Sequence, residues 1–276
     1  MTQFDFADFA EFRAPRYLCP RCLAIDISVS EFWGDWPEHW VFESDAGPYG
    51  TWTCPFCNLR FVGTRDFDGI HDYLQRWDCV LDHGIIEERF RALAGAAAQL
   101  RSEPKQRRVL GKPALRCLLE ILNQAKACVH FTTWGLSWDF IGMFALLSHR
   151  VRVRGVVSRC DEPKARQITD GRRFGSENLE VIPLSFRDGD TSPHHKLIVI
   201  DGLLAITGSA NLTIESWRKL DDGLEQVSIE TRPTEVLRLN NTLFAPVWAR
   251  LHPIPNDEIN MMRVGYRWDS THTGVR

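Results

Sequence analysis

Four side chains that can bind or attack a phosphate flank one short apolar segment. They are an imidazole, an ammonium, a hydroxyl and an amide, supplied by His194, Lys196, Ser209 and Asn211. Because side chains alternate along an extended strand, His194 and Lys196 share one face, and residues 209 and 211 do so in the same way. An imidazole can act as nucleophile or acid at phosphorus, and the other groups can hold phosphate oxygens. The residue types therefore predict a phosphate site, provided that the fold brings both ends of the segment together.

The segment itself predicts the hairpin that would do so. Two apolar runs, Leu197–Ile200 and Leu203–Thr207, meet at Asp201-Gly202. Such a dipeptide is typical of tight hairpin turns, which need positive φ. A buried hairpin with a few polar residues at its ends is the alternative. The convergence of His, Lys and Asn on an apolar hairpin favours the functional interpretation.

The complete pattern is His194-x-Lys196-x4-Asp201-x6-Gly208-Ser209-x-Asn211. It resembles the HKD signature of the phospholipase D superfamily, and the resemblance extends over roughly residues 110–246. It implies an α/β fold, namely a phospholipase D-like α/β/α sandwich with a mixed sheet. It also implies a phosphodiesterase without a catalytic metal, whose nucleophile forms a covalent phosphohistidine. The predicted catalytic residues are His194, Lys196, Ser209, Asn211, Glu225 and Asp201.

The resemblance also implies a role for each of these residues. His194 would be the nucleophile and acid, while His195 points to the other face and is expected to be structural. Lys196, Ser209 and Asn211 would hold the non-bridging oxygens. Glu225 matches an acidic position that holds the imidazole, and Asp201 is expected to order the hairpin rather than contact substrate.

The reaction needs a second imidazole to protonate the leaving oxygen. Of the nine histidines, His194 alone begins a His-x-Lys triplet. We therefore expect a symmetric homodimer in which each protomer supplies one His194. The resemblance points the same way, since single-motif members are commonly dimeric nucleases, whereas phospholipases and cardiolipin synthases usually carry two motifs in one chain.

Two CxxC pairs lie near the N-terminus, and each has a proline after its first cysteine. The predicted metal ligands are Cys19, Cys22, Cys54 and Cys57. Four thiolates can surround one Zn²⁺ tetrahedrally, which predicts a closed structural zinc site in a zinc-ribbon-like segment. Free or redox-active thiols are the alternative. Aromatic residues between the pairs (residues 27–40) are expected to fill a small core, with base stacking or a protein partner as alternative roles.

Composition divides the 276-residue chain. We predict a zinc-ribbon-like domain with a helical extension at 1–103, a catalytic domain at 104–250 and a tail at 251–276, with a linker at 102–108. Net charge is −8 over residues 1–103 and +5 over the rest, which suits a phosphate-rich substrate for the second part. The absence of a long apolar run and of a signal-peptide pattern predicts no membrane association and a reducing, cytoplasmic location.

Hydrophobic periodicity predicts alternating helices and strands. Helices are expected at 70–82, 84–101, 112–126, 138–149 and 212–220, and strands at 128–132, 151–157, 179–183 and 224–230, with a loop or loop-plus-helix at 158–178. This alternation is typical of an α/β sandwich.

These observations predict a metal-independent nuclease, an endonuclease that cleaves DNA or RNA. The family resemblance suggests bacterial restriction or phage defence as its context. A phospholipid phosphodiesterase or transferase is the first alternative, which an exposed apolar rim beside His194 would favour. A non-enzymatic module that binds nucleic acid or protein is the second.

Overall fold

The computed structural model describes residues 16–19, 21–27, 41–43, 49–54, 56–64, 83–185 and 192–251. Its N-terminal part contains short antiparallel strands. Strand β1 (Arg16–Leu18) pairs with β2 (Ile25–Ile27), and a separate three-stranded sheet contains β3 (Val41–Glu43), β4 (Tyr49–Thr53) and β5 (Arg60–Thr64). The helix predicted at 70–82 and the tail beyond residue 251 lie outside the described residues.

The rest of the described chain alternates helices with longer strands. The helices are α1 (His83–Arg101), α2 (Pro104–Val109), α3 (Ala114–Asn123), α4 (Trp138–Ser148), α5 (Glu162–Phe174), α6 (Ile214–Asp221), α7 (Pro233–Leu239) and α8 (Ala245–Leu251). A π-helical turn, Asn240–Phe244, connects the last two. The strands are β6 (Cys128–Thr133), β7 (Arg152–Cys160), β8 (Leu179–Ser185), β9 (Lys196–Ile200), β10 (Leu204–Gly208) and β11 (Val227–Glu230).

A six-stranded mixed sheet joins these strands in the order β11-β10-β9-β6-β7-β8. Strands β6, β7 and β8 are parallel, because α4 and α5 provide the helical crossovers that parallel neighbours need. The hairpin β9–β10 adds antiparallel strands to the free side of β6. The α/β fold with a mixed sheet is therefore confirmed.

Alternate residues of the central strands enter two different cores. Ile198 and Ile200 pack in a cluster with apolar residues of α1 and α3 to α6. Leu197 and Val199 face the other way, into a cluster with Phe244, Trp248 and apolar residues of the β1–β2 segment. This period of two places β9 between covered faces, so that nearly every strand side chain is buried.

Gly155 of β7 allows close packing above the centre of the sheet. A Cβ atom at this position would lie 2.0 Å from Cζ of Phe131, whose ring stacks on Phe144 with centroids 4.6 Å apart. Any side chain at 155 would displace this aromatic pair.

The prediction of a flexible linker at 102–108 is wrong, because most of this stretch, from residue 104 onwards, belongs to helix α2. Pro104 occupies the first turn of the helix, where proline is tolerated. The buried Arg107 bonds Asp221 (Nε to Oδ1, 3.2 Å), which fastens α2 to α6. The preceding helix α1 packs into the main core. The boundary at residue 103 remains a prediction.

Two further differences concern helices. The segment predicted as loop or loop-plus-helix at 158–178 contains the 13-residue helix α5. The elements between residues 233 and 251 were not predicted at all.

None of the helices within the described ranges has the length and hydropathy needed to cross a membrane.

Candidate active site at the open end of the β9–β10 hairpin

The predicted hairpin forms, with a connection one residue longer than expected. Ile200 pairs with Leu204 and Lys196 with Gly208, so residues 201–203 make the turn. Asp201 and Gly202 have φ values of 53° and 61°, and the N–H of Leu203 donates to the carbonyl oxygen of Ile200 at 2.9 Å. The Asp-Gly signal therefore identified the turn correctly.

Asp201 fastens the closed end of the hairpin to β6. Its carboxylate is buried and accepts hydrogen bonds from the backbone N–H groups of Lys126, Ala127 and Cys128, at 3.0, 2.7 and 2.9 Å. Asp201 follows the five-residue strand β9, which begins at Lys196. At the usual rise per residue, the two residues are about 17 Å apart along the strand. Asp201 is thus remote from the groups at the other end.

His194 and Lys196 lie at the open end, where β9 begins. His194 is exposed, whereas Lys196 is partly buried and its Nζ donates to the carbonyl oxygen of His194 at 3.0 Å. Burial lowers the pKa of the Lys196 ammonium from its usual value, and the nearby Glu225 carboxylate opposes this effect. A cation that is partly desolvated attracts an anionic ligand more strongly than a fully hydrated one.

Ser209 and Glu225 meet beside the same end. The Ser209 hydroxyl donates to Oε2 of Glu225 and accepts from the N–H of Gln226 at 3.0 Å. The backbones of Gly208 and Gln226 approach each other closely here. A Cβ atom at Gly208 would lie 2.1 Å from the carbonyl oxygen of Gln226. This contact explains why the motif has glycine before its serine.

The Asn211 amide has a fixed orientation. Its Oδ1 accepts the backbone N–H of Gly135 at 3.2 Å. Because a backbone N–H can only donate, the oxygen must lie on that side, and Nδ2 is directed elsewhere as a donor. A donor held in this way suits a phosphate oxygen.

Trp134 is a site residue that the sequence did not single out. It follows β6 directly, and its ring lies 4.6 Å from the His194 ring, centroid to centroid, at an interplanar angle of 54°. Nζ of Lys196 lies 5.9 Å from the same indole centroid. Its position directly after a predicted strand could have identified it, because ligand-binding loops in α/β folds often follow the carboxyl ends of strands.

His195 faces away from this group, as expected. Burial lowers the pKa of its imidazole below the usual 6.5; a hydrogen bond with the backbone of Leu243 opposes this shift, and the Lys196 charge adds to it. Its carbonyl oxygen accepts from Oγ1 of Thr132 at 3.3 Å. Its structural role remains a prediction.

The four predicted metal ligands meet in one cluster, with all sulfur atoms within 4.8 Å of one another. Sγ of Cys19 lies 3.6 Å from that of Cys57, and Sγ of Cys22 lies 3.9 Å from that of Cys54. Tetrahedral coordination at a Zn–S length of about 2.3 Å requires sulfurs about 3.8 Å apart, so the donor set fits Zn²⁺.

The chemistry of the thiols agrees with this fit. Burial raises the pKa of Cys19, and the neighbouring thiols raise it further. Four thiolates can therefore coexist at this separation only around a cation.

The cysteine cluster is joined to the central sheet through two asparagines. Asn241 accepts the N–H of Ile25 at 2.8 Å and donates to its carbonyl oxygen at 2.7 Å. The buried Asn240 donates to the carbonyl oxygen of Leu23 at 3.1 Å and bonds Nδ1 of His130 at 2.8 Å. The β1–β2 segment is thus docked on the sheet face opposite α3 to α6.

Comparisons with known proteins cover the second half of this architecture. Residues 118–245 match the family model described as cardiolipin synthase, PLD-like domain. The matched residues are therefore a phospholipase D-like domain.

Among curated proteins, human mitochondrial cardiolipin hydrolase is similar to this chain. The two are 30% identical over 145 residues, which are 52% of this chain and 54% of the relative. The chain thus spans about half the length of that protein.

Two solved structures also align with the chain. Nuc from Salmonella typhimurium, a phospholipase D family member, is 16% identical and aligns with a TM-score of 0.38 over 50% of this chain and 86% of that one. NucT from Helicobacter pylori is 17% identical, with a TM-score of 0.38 over 48% and 86%.

The matched range contains every predicted catalytic residue. It also contains Asn240 and Asn241, which hold the β1–β2 segment, but none of the four cysteines of the cluster. The phospholipase D-like domain therefore carries both the candidate site and the docking surface for the N-terminal part.

Proposed function

We propose that the phospholipase D-like domain is a phosphodiesterase that cleaves nucleic acid through a covalent phosphohistidine, without a catalytic metal. The proposal is supported by His194 and Lys196 at the open end of the β9–β10 hairpin, where both contact Trp134. Asn211 is hydrogen-bonded to Gly135, the residue after Trp134. These side chains combine an exposed nucleophile, a partly desolvated cation and an oriented amide donor. Phosphoryl transfer through a covalent intermediate needs groups of these three kinds.

In the first step, a ring nitrogen of His194 attacks phosphorus. The bond to the leaving oxygen breaks, and His194 of the partner subunit gives that oxygen its proton. In the second step, the partner's imidazole takes a proton from water as the water oxygen attacks phosphorus. The P–N bond breaks and the phosphate monoester leaves.

Lys196 and Asn211 would hold the non-bridging oxygens while charge develops on them. Ser209 is proposed to share this task, and Glu225 to hold an imidazole tautomer. Their mutual hydrogen bond keeps both groups beside the hairpin end. These roles require the groups to act on one phosphate, which the paired strands β9 and β10 favour.

The homodimer belongs to the same proposal. An imidazole on one side of phosphorus cannot protonate a group that leaves from the other side, and the chain has a single His-x-Lys triplet. Two protomers with their open hairpin ends facing would complete the site.

Subunit mixing tests the dimer. After subunit exchange with an excess of His194→Asn, wild-type protein should lose activity, because mixed dimers have one imidazole per site. Activity that stays proportional to the amount of wild-type chain would show that one protomer is sufficient.

Two sequence features support nucleic acid as substrate. The catalytic part of the chain is basic while the N-terminal part is acidic, and the single motif resembles the nuclease type. We also propose that the four-cysteine cluster holds one Zn²⁺ that stabilises the fold and takes no part in the reaction.

A phospholipid substrate is the second candidate. Exposed apolar side chains lie close in sequence to site residues: Trp138 is 47% exposed, and Leu224, next to Glu225, is 73% exposed. The similarity to a cardiolipin hydrolase supports the same candidate. Exposed apolar side chains such as these could contact a lipid surface.

Substrate panels separate these candidates. We would incubate the purified chain with plasmid DNA, single-stranded DNA, RNA and cardiolipin-containing vesicles, each with and without EDTA. His194→Asn should abolish activity, while His195→Asn is the matched control and should retain it. Cleavage of vesicle lipid alone would favour the second candidate, and binding of nucleic acid without cleavage would indicate a non-enzymatic module.

A further inference from the structure

Trp134 contacts two members of the candidate site but has no part in the reaction proposed above. Its indole lies against the exposed His194 ring, with centroids 4.6 Å apart, and within 5.9 Å of the Lys196 ammonium. The Trp134 side chain thus contacts both the proposed nucleophile and the proposed oxygen-binding cation.

The backbone on both sides of Trp134 is firmly held. The buried Thr133 donates through Oγ1 to the carbonyl oxygen of Gly135 at 2.8 Å and accepts the N–H of Leu212 at 3.1 Å. Leu136 forms a parallel bridge with Leu212. The segment 133–137 is thereby attached to the loop that carries Asn211.

The Asn211 amide completes this connection. Its Oδ1 accepts the N–H of Gly135, the residue after Trp134. The loop that presents the indole therefore also fixes the direction of the proposed amide donor. The indole and the Asn211 amide therefore belong to one hydrogen-bonded pair of loops.

We propose that Trp134 is a positioning residue for the phosphodiesterase reaction, holding the His194 imidazole and the Lys196 ammonium in reactive orientation; the proposal rests on the function proposed above. An exposed imidazole samples several rotamers, and only some of them direct a ring nitrogen at phosphorus. A tilted ring contact restricts that choice, and the negative face of the indole attracts the ammonium. Loss of the indole should thus lower the rate of the chemical step more than it weakens substrate binding.

Two variants of Trp134 and one control define the test. Trp134→Leu removes the aromatic face and Trp134→Phe keeps a smaller one. Phe140→Leu is the control, since it removes a buried aromatic ring from the helix that follows the same loop, and its partner in ring contact is Phe144. Each protein is assayed for kcat and KM on labelled DNA and on bis(4-nitrophenyl) phosphate, which has no base, and melting temperatures are recorded.

A positioning role predicts that Trp134→Leu lowers kcat about tenfold on both substrates, with KM changed less than about twofold. Trp134→Phe should recover much of the loss, and Phe140→Leu should change melting temperature but not kcat. In NMR spectra, the ring protons of His194, assigned by their absence in His194→Asn, should show an indole ring-current shift that Trp134→Leu removes.

Equal kcat for Trp134→Leu and Phe140→Leu would overturn the positioning role. So would a rise in KM confined to DNA, because the indole would then be binding a base. If the wild-type chain cleaved neither substrate, the proposed function would fail, and the positioning role with it.

Discussion

The two ends of the β9–β10 hairpin carry polar residues of one motif, but they are built in opposite ways. Asp201 at the closed end is 1% exposed, and three backbone N–H groups bond its carboxylate. His194 at the open end is exposed, with its ring against Trp134. A buried charge is stable only when fully bonded, whereas a nucleophile must remain accessible. Substitutions at the closed end should therefore change stability, and those at the open end should change chemistry.

The largest effect is expected from His194→Asn. Activity on any substrate should fall about 10³-fold or more, because the nucleophile is lost, while the melting temperature should change little at an exposed position. Cleavage assays and thermal melting of the same samples check both statements. A large loss of stability would remove the contrast between the two ends.

Loss of the proposed zinc should have the next largest effect, on stability. Cys22→Ser should remove one zinc per chain and lower the melting temperature, because a structural site contributes directly to folding. Cys117→Ser is a matched control, as Cys117 is equally buried but lies outside the cluster. Zinc analysis and melting curves are the measurements. A zinc-free wild-type chain that melts like the zinc-loaded one would contradict the proposal.

Asp201→Ala should destabilise the fold by about 3 kcal/mol, because it leaves buried backbone N–H groups without an acceptor. The activity of the remaining folded protein should be nearly unchanged. Urea unfolding of this variant is compared with Asp222→Ala, whose exposed carboxylate pairs with Arg108 at the surface and should contribute less than about 1 kcal/mol. Equal effects would mean that the closed end is not specially stabilised.

The smallest expected effect is the contribution of His195 to the pH dependence of stability. Burial lowers its pKa below the usual 6.5, so the unfolded chain takes up a proton at higher pH than the folded chain. Above about pH 6.5 the residue is neutral in both states; as pH falls through the folded pKa, its contribution to stability is lost.

The stability of wild type relative to His195→Asn should therefore decrease between pH 7.5 and 5.5, a shift in relative melting temperature of about 1–2 °C. Parallel melting curves at these pH values measure it. A constant difference would place His195 in an environment like that of solvent.

The sequence predicted the hairpin, the alternating helices and strands, and the meeting of the four cysteines in one cluster. These features depend on local periodicity and spacing. It did not predict α2 as a helix, since a polar stretch with Pro104 is equally typical of a linker. Only the distant Asp221 shows why Arg107 is buried there. The same applies to Trp134, whose partner His194 is 60 residues away.

The C-terminal elements were missed for a related reason. Asn240 interrupts the apolar pattern of 236–248, and Pro246 lies in the first turn of α8. The asparagine is buried because it bonds Leu23 and His130, which lie far away in the chain. Helical periodicity alone therefore gave too weak a signal.

The covalent mechanism is tested most directly by trapping the intermediate. The enzyme is mixed with excess oligonucleotide, denatured during the first turnover at alkaline pH, where phosphohistidine survives, and digested with trypsin for mass spectrometry. The proposed mechanism predicts a nucleotide adduct on the peptide 188–196, located on His194 by fragmentation and present in His195→Asn but absent in His194→Asn. Cleavage that proceeds with no adduct, or with an adduct on another residue, would contradict it.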